Sequence, residues 1–339
     1  MQPTTGAPGS SATRRPTVKD VAREAGVGVG TVSRVLNAQG AVSADSRSRV
    51  LAAVASLEYV RDTAARELRR GASASVGLLV EDVADPFYSQ LHRSVESTLE
   101  RHDLTLLAAS SGGSSSQVRR IVDGLAARRV EGLVVTMPMD ADESRLASMQ
   151  RDGVHVVFVD RPAVTFEADS VRTDSRLGAR LGIEHLLSRG HRRIAVLLDD
   201  ARNHTSGERM AGVHDAIQGA GLGPDAVVLS QEAPDADAIG ARLAHLFASD
   251  APPTAVFTGN NRTTVAMLRA SRALGVRLDA VGFDDLELAD LLDPPLTVVA
   301  QDPAAIGAIA AQMLVDRLAG HEGAARLHLV APSLVVRAP

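Results

Sequence analysis

Thr31, Ser33 and Arg34 follow a glycine-marked turn in VAREAGVGVGTVSRVLN, and together they suit one chemistry, the gripping of a DNA duplex. Short hydroxyl side chains donate to phosphate oxygens, and a guanidinium is long enough for bidentate hydrogen bonds to a guanine edge. The competing reading of the same stretch is a three-helix packing module with no ligand. A second set of polar residues closes apolar, strand-like runs: Asp82, Asp160, Asp199, Asn260 and Asp284. In parallel α/β sheets, ligands gather at these carboxyl ends. Other chemistries are missing. Cysteine is absent and Lys19 is the sole lysine, which excludes thiolate nucleophiles, disulfides, a Walker A phosphate loop and a Schiff-base lysine. G-x-S-x-G and H-E-x-x-H do not occur, and the ten histidines are scattered. No enzyme is expected, and no cofactor, metal or catalytic group. The nearest enzymatic rival, a sugar kinase with an attached helix-turn-helix, needs a phosphate-binding glycine loop that GASAS and SSGGSSS match poorly.

The elements that must position these residues fall into a small cationic head and a large anionic body. Residues 1–71 carry ten arginines and Lys19 against six acidic residues, a net +5, while the other 268 residues carry −10. Such a split points the head at a polyanion and keeps the body from it. Residues 1–16, rich in Pro, Gly, Ser and Thr, read as a disordered leader. Thr17-Val18-Lys19-Asp20 resembles a capping box with Asp in place of Glu, opening a first helix that ends at Gly26. A second helix is predicted from about Val29 to Asn37. Ser43 caps a third, with Val50, Val54 and Leu57 along one stripe. Residues 62–71, DTAARELRRG, are too short and charged to hold a helix alone.

From Val76 onward the runs VGLLV, LTLLAA, GLVVT, VHVVFVD, RIAVLLD, AVVLS, TAVFT and AVGF alternate with amphipathic helical stretches. Parallel strands need crossover helices, so this alternation predicts doubly wound parallel sheets. Some 265 residues is large for one sheet, and two α/β lobes around a cleft are expected. No apolar run approaches the ~18–20 residues of a membrane span, so a soluble, cytoplasmic protein is anticipated.

The stretches TVKDVAREAGVGVGTVSRVLN and VSADSRSRVLAAVASLEYVRDTAARELRRG resemble the head and hinge of LacI/GalR-family transcription regulators. VGLLVEDVADPFYSQLHRSVE, VVFVDRP, DSRLGARLGIEHLLSRGHRRIAVL, ERMAGVHDAI and VGFDDLELADLLDPPLTVVAQD resemble that family's effector-binding core. The resemblance implies a periplasmic-binding-protein-like core and a homodimer on a near-palindromic operator. It also implies a repressor answering to a sugar-like effector, with an activator or an effector-independent regulator as the alternative. It divides the chain into a head at 17–61, a hinge at 62–72 and a core at 73–337. The first lobe takes 73–172 and 301–325, and the second 173–300 and 326–337.

Carried over residue by residue, the resemblance gives Val29 and Gly30 the base-reading positions and Arg34 a groove contact. Thr31 and Ser33 become phosphate contacts, with Thr17 and Asn37 also at the DNA. Leu68 becomes a wedge in the minor groove, whose physical logic is that unstacking one base step bends the duplex onto more protein. In the core, Arg209, Asn260 and Asp284 are implied to grip the effector from the second lobe. Asp85, Phe87, Asp160 and Arg161 line the first. The chain departs from the family in having Gly28 for a small polar residue, and Arg61-Asp62 before the hinge. Asn261 replaces an acid, and no aromatic ring follows Val228, where Ala236 is aligned to the usual stacking position. Phe87, Tyr88 and Phe166 are the aromatic residues left to stack on a sugar.

Overall fold

In the computed structural model, which describes residues 16–36, 41–59, 73–231 and 235–337, the first described element is α1 (Val18–Ala25). Asp20 closes its first turn as anticipated. Its carboxylate accepts from the Thr17 backbone N–H at 2.9 Å and from the Thr17 hydroxyl at 2.6 Å. Gly26 ends the helix in the left-handed region, φ 62°, where its N–H meets the Ala22 and Arg23 carbonyls. After that turn comes α2 (Val29–Leu36). Ser43 accepts from the Ser46 N–H at 3.3 Å and opens α3 (Ala44–Ser56). Val21, Ala25, Val32, Val35 and Val50 bury their side chains between the three helices. Each fully buried valine is worth about 1.5–3 kcal/mol, so this core is small but sufficient to orient α2. The chain divides into two units, residues 1–72 and 73–339.

In the second unit, β1 (Ser75–Val80), β3 (Gly132–Val135) and β4 (His155–Val159) are almost wholly buried, as unbroken apolar runs require in a sheet covered on both faces. They pair in parallel with β2 (Thr105–Ser110) and β5 (Asp169–Thr173). A second sheet is built from β6 (Ile194–Leu198), β7 (Val227–Gln231), β8 (Ala255–Thr258), β9 (Asp279–Phe283) and β10 (Thr297–Ala300). Late in the chain β11 (Leu327–Val330) joins the first sheet and β12 (Ser333–Val335) the second, giving the orders β11-β5-β4-β3-β1-β2 and β12-β10-β9-β8-β6-β7. All pairs are parallel except β10 with β12.

Each sheet is sandwiched by helices. In the first lobe α4 (Pro86–Glu100) and α11 (Pro303–Leu318) cover one face through Leu91, Leu99, Ile306 and Leu314. Its other face holds α5 (Ser115–Ala127) and α6 (Ser144–Arg151). In the second lobe α7 (Ser175–Ser188) pairs with α8 (His204–Gly219), and α9 (Ala236–Phe247) with α10 (Asn261–Leu274). A Cβ at Gly212 of α8 would lie 2.1 Å from the Arg176 carbonyl oxygen, so only glycine lets these two helices approach so closely.

The expected two-lobed parallel α/β core is therefore present, with two corrections. Residues 327–330, assigned from sequence to the second lobe, form β11 and pair with β5 in the first. Asp169 draws them there. Its buried carboxylate accepts from Arg317 at 2.8 and 3.0 Å, from the Arg326 guanidinium at 2.8 and 3.2 Å, and from the Arg326 backbone N–H at 2.8 Å. Burial alone would raise this carboxyl, but the two arginines outweigh it and hold it down to about 2. Secondly, β5, β10, β11 and β12 lie outside the apolar runs that the sequence displays as strands.

Candidate functional site

In the head, the packed side of α2 is Val32 and Val35, which leaves Val29, Gly30 and Arg34 exposed, with Thr31 and Ser33 half-buried. The Arg34 guanidinium lies back along its own helix, its Nε 3.3 Å from the Gly30 carbonyl oxygen. Thr17 is half-buried at the start of α1. Asn37, Leu68 and the hinge segment 62–72 lie outside the described residues, as does the leader up to Arg15.

In the core, a cleft of about 160 Å³ opens where the carboxyl ends of the two sheets face each other. Both sheets reverse strand order there, between β1 and β3 and between β6 and β8, and such a switch point is where a doubly wound sheet leaves room for a ligand. All seven sequence-predicted effector residues line it: Asp85, Phe87, Asp160, Arg161, Arg209, Asn260 and Asp284. Asp82 does not. It is exposed in a turn, accepting from the Ala84 N–H at 2.9 Å, while its neighbour Glu81 faces the cleft. Phe166 is absent too, stacked edge-on against Phe158 in the first lobe at 5.7 Å. Phe87 and Tyr88 do line the cleft, in mutual edge-to-face contact at 5.1 Å.

Local structure sets each side chain. Asp85 caps α4, accepting from the Phe87 N–H at 2.9 Å, and Pro86 occupies the first helical position. Tyr88 on that first turn donates to Asp160 at 3.3 Å. Burial, and then the Asp160 charge, raise the phenol well above its ordinary range, so it stays a donor. Asp160 and Asp284 end β4 and β9 in matching left-handed conformations, φ 66° and 72°. Aspartate is among the few non-glycine residues that adopt this region readily. Arg161 gives one Nη to Glu81 at 3.1 Å and the other to the Met137 carbonyl at 3.2 Å.

Across the cleft, Arg209 is only 4 % exposed. It donates to the Gly259 carbonyl and lies with its guanidinium carbon 4.0 Å from the Phe283 ring centre. Asp284 accepts from the Asn261 N–H at 3.0 Å and from Gln301; burial raises its carboxyl despite Arg209 nearby. Asn260 caps α10 through the Thr263 N–H at 2.8 Å. Asp199 is held by Ser206 at 2.9 Å. Side chains bridge the lobes directly: Asn261 donates to Asp85 at 3.0 Å, and Arg262 faces Glu81 at 3.7 Å. The carboxamide at 261 can make this bond where a carboxylate would oppose Asp85. Arg172 on β5 also meets His204 on α8, and burial and then that guanidinium lower the imidazole.

Glu81, Asn203, Thr205, Arg262 and Gln301 complete the lining and were not singled out from sequence. Glu81 was findable as the first residue past β1, the place Asp199 has past β6. Gln301 follows β10, a strand the sequence did not reveal. Among the described residues no group of three acidic or histidine side chains is placed to hold a metal ion. No helix among them is long and apolar enough to cross a membrane.

Comparison with known proteins places the chain among relatives. Residues 17–62 match the pattern of bacterial regulatory proteins of the lacI family, and 183–338 that of a periplasmic binding protein-like domain. The ribose operon repressor of Escherichia coli (strain K12) is 30% identical over 307 residues, 89% of this chain and 93% of the relative. Among solved structures, the lac repressor dimer bound to operator and the anti-inducer ONPF is similar with a TM-score of 0.81 and 27% identity, over 96% of this chain and 98% of that one. A complex of the regulator CelR with cellobiose is similar with a TM-score of 0.69 and 29% identity, over 95% and 99%.

Proposed function

Because the chain belongs to the lacI family of bacterial regulatory proteins, we propose that it is a transcription repressor of the cytoplasm that binds a near-palindromic operator as a homodimer and is set by a small polar effector in its interlobe cleft. The observation that carries this reading is the outer face of α2, where Val29, Gly30 and Arg34 stand clear on a helix whose other side is packed. A helix so presented fits a major groove, with Arg34 reading a guanine, Thr31 and Ser33 holding phosphates, and Thr17 and Asn37 also at the DNA. Gly30 has no side chain to read with; it lets backbone approach the bases. Leu68 enters the minor groove at the operator centre.

The cleft supplies the switch. A ligand that prefers one interlobe angle shifts the population of that angle, and with it the spacing of the paired heads. A lac repressor dimer on its operator and a CelR complex with cellobiose are the similar structures that support the dimer, the DNA and a sugar. Selection of bound duplexes from a random pool, followed by gel shifts of the full chain and of a chain lacking residues 1–72, tests the reading. The full chain should enrich an inverted repeat, and the shortened chain should bind none of it. Equal binding by both overturns the assignment of DNA recognition to the head.

A further inference from the structure

The cleft turns its guanidinium groups toward its own carboxylates and main-chain carbonyls. Both Nη groups of Arg161 are taken, by Glu81 and the Met137 carbonyl, and Arg262 at the mouth is drawn to Glu81 at 3.7 Å. Arg209 gives one Nη to the Gly259 carbonyl and lies over the Phe283 ring. The helix N-termini are spent as well, since Asp85, Asn203 and Asn260 accept from the N–H groups of Phe87, Thr205 and Thr263 at 2.9, 3.4 and 2.8 Å. The Nε of Arg161 faces Asp160 at 3.6 Å, and it and the Nε of Arg209 are buried without a hydrogen-bond acceptor. Around them stand Glu81, Asp85, Asp160, Asp199 and Asp284, five carboxylates against three guanidinium groups.

We propose that this cleft takes an uncharged polyhydroxylated molecule and turns away the phosphate ester or acid of the same molecule. The proposal rests on the effector reading above and narrows it. A hydroxyl group offers a lone pair to a guanidinium N–H and its own proton to a carboxylate, and so suits both kinds of group lining the site. A phosphate brings acceptors only. It binds well where a free guanidinium fork or an uncapped helix N-terminus receives it, and here it would meet guanidinium groups drawn to Glu81 and to main-chain carbonyls, capped helices and an excess of negative charge. Glu81 is the specificity-determining residue, because it occupies Arg161 and Arg262 together.

Matched pairs decide the matter: D-ribose with D-ribose 5-phosphate, D-glucose with D-glucose 6-phosphate, and D-fructose with D-fructose 1-phosphate, each titrated calorimetrically into the full-length protein. A free sugar should bind, with its ester weaker by about tenfold or more. In Glu81→Gln, which removes the negative charge that draws both guanidinium groups, that gap should close by a similar factor. An ester that binds the parent protein as tightly as its free sugar overturns the proposal. So does a gap that survives Glu81→Gln unchanged in a protein whose circular dichroism matches the parent's. Binding by no member of any pair instead removes the sugar-effector reading beneath it, a failure visible on its own.

Discussion

Replacing Asp169 by asparagine should loosen the core by an amount that the charge network sets. The carboxylate is 2 % exposed and takes five hydrogen bonds from Arg317 and Arg326, which tie the end of α11 and the start of β11 to β5. Its pKa falls from 3.8 to about 2 on folding. A difference of that size is worth roughly 2.5 kcal/mol of stability. The contribution is present in full above the unfolded pKa, near 4, and is lost as pH falls toward 2. In Asp169→Asn the carboxamide would keep one acceptor, place its amide hydrogens against two guanidinium groups, and forgo this contribution. With no tryptophan in the chain, urea unfolding is followed by circular dichroism at 222 nm, at pH 7, 5 and 3. The variant should lose about 2–3 kcal/mol at pH 7 and at pH 5, and clearly less at pH 3. A loss under about 0.5 kcal/mol at neutral pH, the size of an exposed pair, would refute the reasoning, as would a loss that ignores pH.

Arg34→Ala should cost roughly 1–3 kcal/mol in operator binding and relax selectivity at one base pair per half-site, read by gel shift against single-substitution operators. Leu68→Ala should lower specific affinity and operator bending while leaving binding to random duplex nearly unchanged; equal losses on both count against the wedge. Arg209→Ala and Asp284→Asn should each abolish the calorimetric signal of a sugar effector yet leave operator binding in its absence intact. Asparagine is chosen at 284 because it tolerates the left-handed backbone there, φ 72°.

The head was legible almost to the residue because its boundaries are chemical: Thr17 with Asp20, Gly26 and Ser43 each do one local job that a sequence displays. Buried strands were legible for a similar reason, since β1, β3, β6 and β8 bury both faces and carry unbroken apolar runs. β5 escaped notice because its sequence is DSVRT, whose polar ends find side-chain partners only after folding, Asp169 in Arg317 and Arg326, Arg172 in His204. β11, largely exposed at the sheet edge, had no burial to betray it. The site divides the same way. Strand-end carboxylates can be read in order along the chain, but Gln301 reaches Asp284 and Thr173 through folding alone, and Glu81 and Asp82 differ only in which side of a turn they face.

The late arrival of α11 and β11 in the first lobe has a consequence during synthesis. That lobe begins at β1 but lacks the helix covering Leu91 and Leu99, and its edge strand, until residues 303–330 emerge. At about 5–20 residues per second, the wait between β1 and α11 is roughly 10–45 s. For that interval the nascent chain carries a finished head and a sheet face covered by α4 alone, with Leu91 and Leu99 left open where α11 will pack. A ribosome stalled near residue 300 therefore displays a sticky, half-built lobe together with a head complete enough to fold, and release at that point would yield a chaperone substrate rather than a weak repressor.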